Sequence, residues 1–208
     1  MTGLVLDHLI VSGDVVRVGG RIAAALGVDP DDGGVHPGAG TRNQIFALQG
    51  GCALEVLGPD PAQEDPRTAS DAPEAGSLWW WAVRADEPLD VVAARVRVGG
   101  FGTTTPESGE RVRPNGERLT WETIDLVGHP FGRTVPFVIR WLEGVPPSLG
   151  ATSPASVLRT FVLGHPDPQA LRRALLRAGI LADVERAERP TLRAEVAGAG
   201  GTIGFVSR

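Results

Sequence analysis

The chain offers a short menu of reactive groups. Its four histidines are His8, His36, His129 and His165, its one thiol is Cys52, and its basic side chains are all arginine; lysine and tyrosine are absent. Schiff-base chemistry, a lysine phosphate loop and a tyrosine acid are therefore excluded. A single cysteine also excludes an internal disulfide framework and a cysteine-based zinc cluster. What remains is acid–base or ligand chemistry by imidazole and carboxylate, and anion recognition by guanidinium. Asn43 follows Arg42 into a strand and is expected to point inward, with Arg42 at a solvated edge or on the ligand. Arg140 alternates with apolar residues on a closing strand and reads either as an anion clamp or as the cross-strand partner of Glu122. His129, in Gly128-His129-Pro130-Phe131-Gly132, sits in a loop able to cover a site. His36-Pro37-Gly38 reads as a structural turn, and His165 as the start of a helix without functional signal. The glycines of Gly99-Gly100-Phe101-Gly102 lack the spacing and the preceding strand of a nucleotide fingerprint.

The elements that must position these groups follow a repeated order. Residues 4–12 read as a strand, and 15–26 as a helix capped by Asp14 and closed by Gly27. A Gly/Pro/Asp stretch at 29–40 follows, with the first of three further strands placed loosely within it. Strands at 41–48 and 52–57 then flank the hairpin signal Gly50-Gly51. After an exposed connector at 60–77, the pattern returns as a strand at 78–84, a helix at 88–98, strands at 111–113 and 118–126 across Pro114-Asn115-Gly116, and a closing strand at 133–141. Past a proline-rich link at Pro146-Pro147 it returns again: a strand at 158–163, a helix at 168–178, and short strands near 183–188, 191–196 and 202–206. The fold class is α+β: tandem βαβββ units at 1–60 and 77–145 form a cupped mixed sheet, and a smaller βαβββ-like unit occupies 155–208. Two such units joined edge to edge leave a concave face for a ligand. The run Trp79-Trp80-Trp81 must send one indole to the face opposite its neighbours. Trp81 or its neighbour is expected to wall the cup, joined by Trp121 and Trp141 from adjacent strands.

The stretch Val5-Leu6-Asp7-His8-Leu9-Ile10-Val11, the helix ending at Leu26-Gly27, Gly-Thr-Arg-Asn-Gln at 40–44 and Leu54-Glu55-Val56-Leu57-Gly58-Pro59 together resemble the glyoxalase-like branch of the vicinal-oxygen-chelate superfamily. The resemblance covers the first unit by motif, the second by order and apolar pattern, and the third by order alone. It implies a cupped sheet holding a divalent metal (Zn, Mn, Fe, Ni or Co) on four strand positions, of which His8 and Glu55 match the first two. The second unit departs from it, with Trp81, Trp80 or Ala82 facing His8 and the apolar segment 135–139 facing Glu55. Two ligands are an incomplete set, so a loop histidine or a partner chain would have to complete it, or no cofactor binds at all. Besides metal ligation, His8 and Glu55 read first as a buried hydrogen-bonded pair and then as an acid and base or substrate contact.

On this resemblance the expected function is a glyoxalase-like small-molecule-binding protein. If it is an enzyme, it is a metal-assisted lyase, isomerase or ring-cleaving dioxygenase with a degenerate site. In that reading His8, Glu55 and Arg140 are catalytic, and Arg42, Asn43, Trp81, Trp121 and His129 contact substrate. The alternative is a non-catalytic sequestering protein of the resistance type with an aromatic cup. A net charge of −5 and a pI near 5.4 argue against nucleic acid as partner. No apolar run reaches the ~20 residues of a membrane span, and the N-terminus shows no signal-peptide pattern. A small-molecule ligand, a homodimer and a cytoplasmic location are the expectations.

Overall fold

The computed structural model describes residues 3–63, 76–146 and 155–207. Most of the connector expected at 60–77, and Pro147 of the proline-rich link, lie outside the described residues.

The first strand, β1 (Val5–Ser12), alternates its side chains between two buried surfaces, His8 and Ile10 on one and Leu9 and Val11 on the other. Helix α1 (Val15–Leu26) starts where the Asp14 carboxylate accepts a hydrogen bond from the Arg17 amide and ends at Gly27. Val18, Ile22 and Leu26 form its buried stripe. The strand placed loosely within 29–40 is β2 (Asp31–His36), which runs into β3 (Thr41–Leu48) and, through the diglycine hairpin, β4 (Cys52–Pro59). The second half continues with β5 (Leu78–Arg84), α2 (Leu89–Val96), a 3-10 turn, the two-residue β6 (Gly102–Thr103), β7 (Glu107–Val112), β8 (Arg118–Val127) and β9 (Phe137–Glu143). A 3-10 turn at Gly132–Thr134 and Pro136 shorten β9 relative to the strand expected at 133–141, because proline cannot donate to the ladder.

The strands run β8-β7-β2-β3-β4-β1-β5-β9, and β9 pairs back onto β8, so the sheet closes on itself with β6 as a short extra edge. The runs β2-β3-β4-β1 and β7-β8-β9-β5 share one spatial order, joined at β1–β5 and β2–β7. Closure removes most free edges and separates an inner from an outer face.

The last strands, β10 (Val157–His165), β11 (Asp183–Arg186), β12 (Thr191–Gly198) and β13 (Gly201–Val206), form a separate four-stranded sheet in the order β11-β10-β12-β13, with α3 (Pro168–Arg177) beside β10 and β11. Helix α1 packs against β12 and β13, and one apolar cluster runs from Leu9 and Trp81 through to Leu171 and Phe205. The C-terminal sheet thus covers the outer face of the barrel. No helix among the described residues is long and apolar enough to cross a membrane.

Cys52 is buried on β4, and burial pushes its thiol up to about 11. Iodoacetamide at pH 8 is expected to leave it unmodified in the folded protein and to label it once urea unfolds the chain. Rapid labelling under native conditions would contradict that burial.

Candidate functional site

The inner face encloses a cavity of about 170 Å³. Its apolar wall includes Ile10, Ile45, Leu57, Phe137 and Ile139, with the indoles of Trp121 and Trp141 in edge contact at 5.3 Å. Strand register places its polar groups. Glu55 pairs with Ile10 and with Ile45, so it is diagonal to His8 on one side and to Asn43 on the other; Gly34 pairs with Asn43, which sets His36 diagonal to Asn43 in turn. Diagonal neighbours on one face of a sheet are within reach of long side chains, and four strands thereby deliver a continuous row of side chains.

The row begins outside the cavity with Arg84, whose Nη1 is 3.0 Å from Asp7 Oδ1. Asp7 Oδ2 accepts from His8 Nδ1 at 2.8 Å, and the Trp141 indole N–H reaches Asp7 Oδ1 at 3.3 Å. His8 Nε2 lies 3.3 Å from Glu55 Oε2. Glu55 Oε1 accepts from Asn43 Nδ2 at 2.6 Å. The Gly34 amide donates to Asn43 Oδ1 at 3.0 Å, which fixes which end of the Asn43 side chain is the amide nitrogen. That nitrogen also lies 3.3 Å from His36 Nε2, and His36 Nδ1 lies 2.9 Å from the Thr41 hydroxyl. With Asn43 as donor, His36 accepts at Nε2 and carries its proton at Nδ1.

The two imidazoles are driven apart. Burial disfavours charge on His8, but the Asp7 hydrogen bond and the charges of Glu55 and Asp7 outweigh it, so its pKa is raised and imidazolium is favoured. Burial also dominates at His36, where Arg111 and His8 add to it against Glu55, so its pKa is lowered and the neutral ring is favoured. Asp7 resists its burial through His8 and Arg84 and is held below the ordinary carboxylate value.

One further cation faces the cavity. Arg111 on β7 is 2% exposed, and its Nε and Nη2 have no hydrogen-bond partner among the described residues. Space for it comes from the bulge in β2 between Asp31 and Gly34. A Cβ on Gly34 would sit 2.7 Å from Arg111 Cγ, and one on Gly33 would sit 1.8 Å from the Asn43 carbonyl oxygen. Only glycine fits at these two positions. The available signal was this Gly-Gly-Val-His segment: a diglycine before a β-branched residue marks a bulged strand as well as a loop.

Of the expected site residues, His8, Asn43, Glu55 and Trp121 line the cavity. Four do not, and each has a physical reason. Trp81 pairs with Leu9 on the outer face, 1% exposed, with its ring 5.1 Å from Phe161; Ala82 is the residue opposite His8, and Phe137, flanked by Trp80, fills that side of the cup. Arg140 alternates out between Ile139 and Trp141 and lies 3.7 Å from Glu122 across the β8–β9 ladder. Arg42 alternates out beside Asn43. His129 is locked into its own loop, donating to the Leu126 carbonyl and accepting from the Phe131 amide. Among the charged and titratable lining residues, Asp7, His36 and Arg111 are those that sequence reasoning did not place there.

A divalent metal does not fit this donor set. Among the described residues no three His, Cys, Asp or Glu side chains are grouped so as to hold an ion. An amide N–H already engages Glu55 Oε1, a guanidinium shares the cavity, and the second half presents Ala82, Phe137 and Ile139 where further ligands would stand.

A mixed sheet rolled around an inner cavity, with helices outside, is the architecture of the vicinal-oxygen-chelate superfamily. Within it the chain belongs to the glyoxalase-like domain family, whose sequence profile matches residues 6–179. No curated protein matches the chain. Among solved structures it is similar to a hypothetical protein from Staphylococcus aureus, at a TM-score of 0.65 and 15% identity over 99% of this chain and 86% of that one. It is similar to a triple mutant of 4-hydroxymandelate synthase from Streptomyces coelicolor at a TM-score of 0.50 and 16% identity, over 100% of this chain and 63% of that one. A methylmalonyl-CoA epimerase from Mycobacterium tuberculosis aligns at a TM-score of 0.45 and 18% identity, over 68% of this chain and 90% of that one. At such identities the likeness to the first of these establishes the fold and is silent on the reaction.

Proposed function

We propose that the protein binds a small organic molecule in the barrel cavity and exchanges a proton with it through Glu55, as a metal-independent isomerase or lyase. The observation that carries this reading is the convergence of His8, His36, Asn43, Glu55 and Arg111 on one apolar-walled cavity. A few placed polar groups in an otherwise apolar hollow orient a ligand. Glu55 is the only carboxylate on the row not also bound to an arginine in the described structure, and Asn43 and His8 fix its two oxygens. It is therefore the proton acceptor. His8, charged and bonded to Asp7, lies beside Glu55 and can return a proton; neutral His36 holds Asn43 in place. We read residues 1–145 as paired βαβββ units that build this cavity and 155–208 as a third unit bracing them from outside.

The test measures deuterium incorporation next to the carbonyl of 2-butanone in D₂O by proton NMR, with elemental analysis of protein purified without chelator. Exchange above the buffer rate is expected, falling by about 100-fold or more in Glu55→Gln, with no stoichiometric metal. A metal ion at one per chain that Glu55→Gln removes, or exchange indifferent to that substitution, would overturn the reading. The edge-packed Trp121 and Trp141 favour a second role, sequestration of an apolar molecule, which predicts binding without exchange.

A further inference from the structure

Arg111 is the cation on the inner face that no described hydrogen bond accounts for. Arg84 is held by Asp7, His8 lies between Asp7 and Glu55, and neither Nε nor Nη2 of Arg111 is satisfied. Those two nitrogens form the side-on edge of the guanidinium, whose parallel N–H bonds match the two oxygens of a carboxylate. A buried donor left without a partner costs free energy that a bound anion would recover. The group is also deliberately housed, since Gly34 leaves room for its stem and Arg111 is among the largest fully buried side chains.

Building on the reading above, we propose that the cavity is a receptor for a small organic monocarboxylate, whose carboxylate seats on the Nε–Nη2 edge of Arg111 and whose carbon body lies against Trp121, Trp141 and Phe137. Two features narrow the class. At ~30 Å³ per water, a cavity of about 170 Å³ has room for about five or six waters, which suits an acid of a few carbons. Glu55 faces the same space, so one negative charge is tolerated there better than two, and a carboxylate is preferred over a phosphate dianion. A wider cleft lined by His36, Glu107, Ser108, Gly109, Glu110 and Trp121 shares His36 and Trp121 with the cavity, which gives a longer acid a place for its tail.

Isothermal titration calorimetry of the full chain with butyrate, its neutral isostere butyramide, and inorganic phosphate tests this. Butyrate is expected to bind about tenfold or more tightly than butyramide, and phosphate more weakly than butyrate. Arg111→Met should erase the preference for the acid while leaving butyramide binding in place, and Arg111→Lys should restore it only in part. Equal binding of butyrate and butyramide by the wild-type chain, or tighter binding of phosphate, overturns the assignment to Arg111 and leaves the cavity reading standing. Failure of every probe to bind sinks both. If Arg111→Met does not fold, the acid–amide comparison on the wild-type chain decides alone.

Discussion

Replacing Asp7 with asparagine is expected to lower the unfolding free energy by about 3–5 kcal/mol, because it removes one member of a buried charge network. Asp7 is 1% exposed and receives Arg84, His8 and the Trp141 indole. Its loss leaves two cations in a low-dielectric interior without that counter-charge. Urea unfolding followed by circular dichroism measures the effect, and a change below about 1 kcal/mol, the level of an exposed pair, would mean that water reaches the network.

The same substitution carries a pH signature. The Asp7 pKa is lowered from its ordinary 3.8, so its contribution is present above that value and lost as pH falls through the lower, folded pKa. The His8 pKa is raised from 6.5, so its contribution is complete below 6.5 and lost as pH rises through the higher, folded pKa. His36 acts in the other sense: with a lowered pKa it resists protonation in the fold, and stability drops as pH falls below 6.5. Wild-type stability should therefore peak near 6.5 and decline on both sides. In Asp7→Asn the alkaline decline should shrink, since His8 loses its hydrogen-bonding carboxylate, while the acid limb set by His36 persists. An unchanged alkaline limb would show that Asp7 does not hold the His8 proton.

Trp81→Ala is expected to cost about 3–5 kcal/mol, the range for emptying a large buried aromatic site. The indole fills space between the barrel and the C-terminal sheet, against Phe161, and none of it faces the cavity. Stability should fall steeply while ligand affinity in the milder Trp81→Leu variant stays at the wild-type level. Were Trp81 a wall of the cup, Trp81→Leu would instead weaken binding with little loss of stability. The two outcomes separate in one urea titration and one calorimetric titration.

Much of the local structure was legible because it rests on short-range chemistry. Asp14 and Gly27 bracket α1, the diglycine turns β3 into β4, and Asp167 caps α3, whose Pro168 opens the helix. Each of those depends on residues a few positions apart. The placement of His8, Asn43 and Glu55 on one inner face was legible for a related reason: alternation along a strand fixes a side chain's face once the face of a neighbour is known. The same rule left Trp81 open against its neighbours and Arg140 open between anion clamp and partner of Glu122, because period-two alternation leaves two choices and the sequence does not say which is the inner one. That choice was made by closure of the barrel and by the C-terminal sheet packing on its outside. His36 and Arg111 needed still more. Their meeting depends on a bulge in β2 and on a single ladder contact between Val35 and Val112, residues that are remote in the chain. The sequence by itself determined the reactive groups on offer, the order of the elements and three members of the inner row, His8, Asn43 and Glu55. Tertiary structure alone decided that an arginine and a second histidine share their cavity in place of further metal ligands, because burial and charge at a point are set by every strand that encloses it.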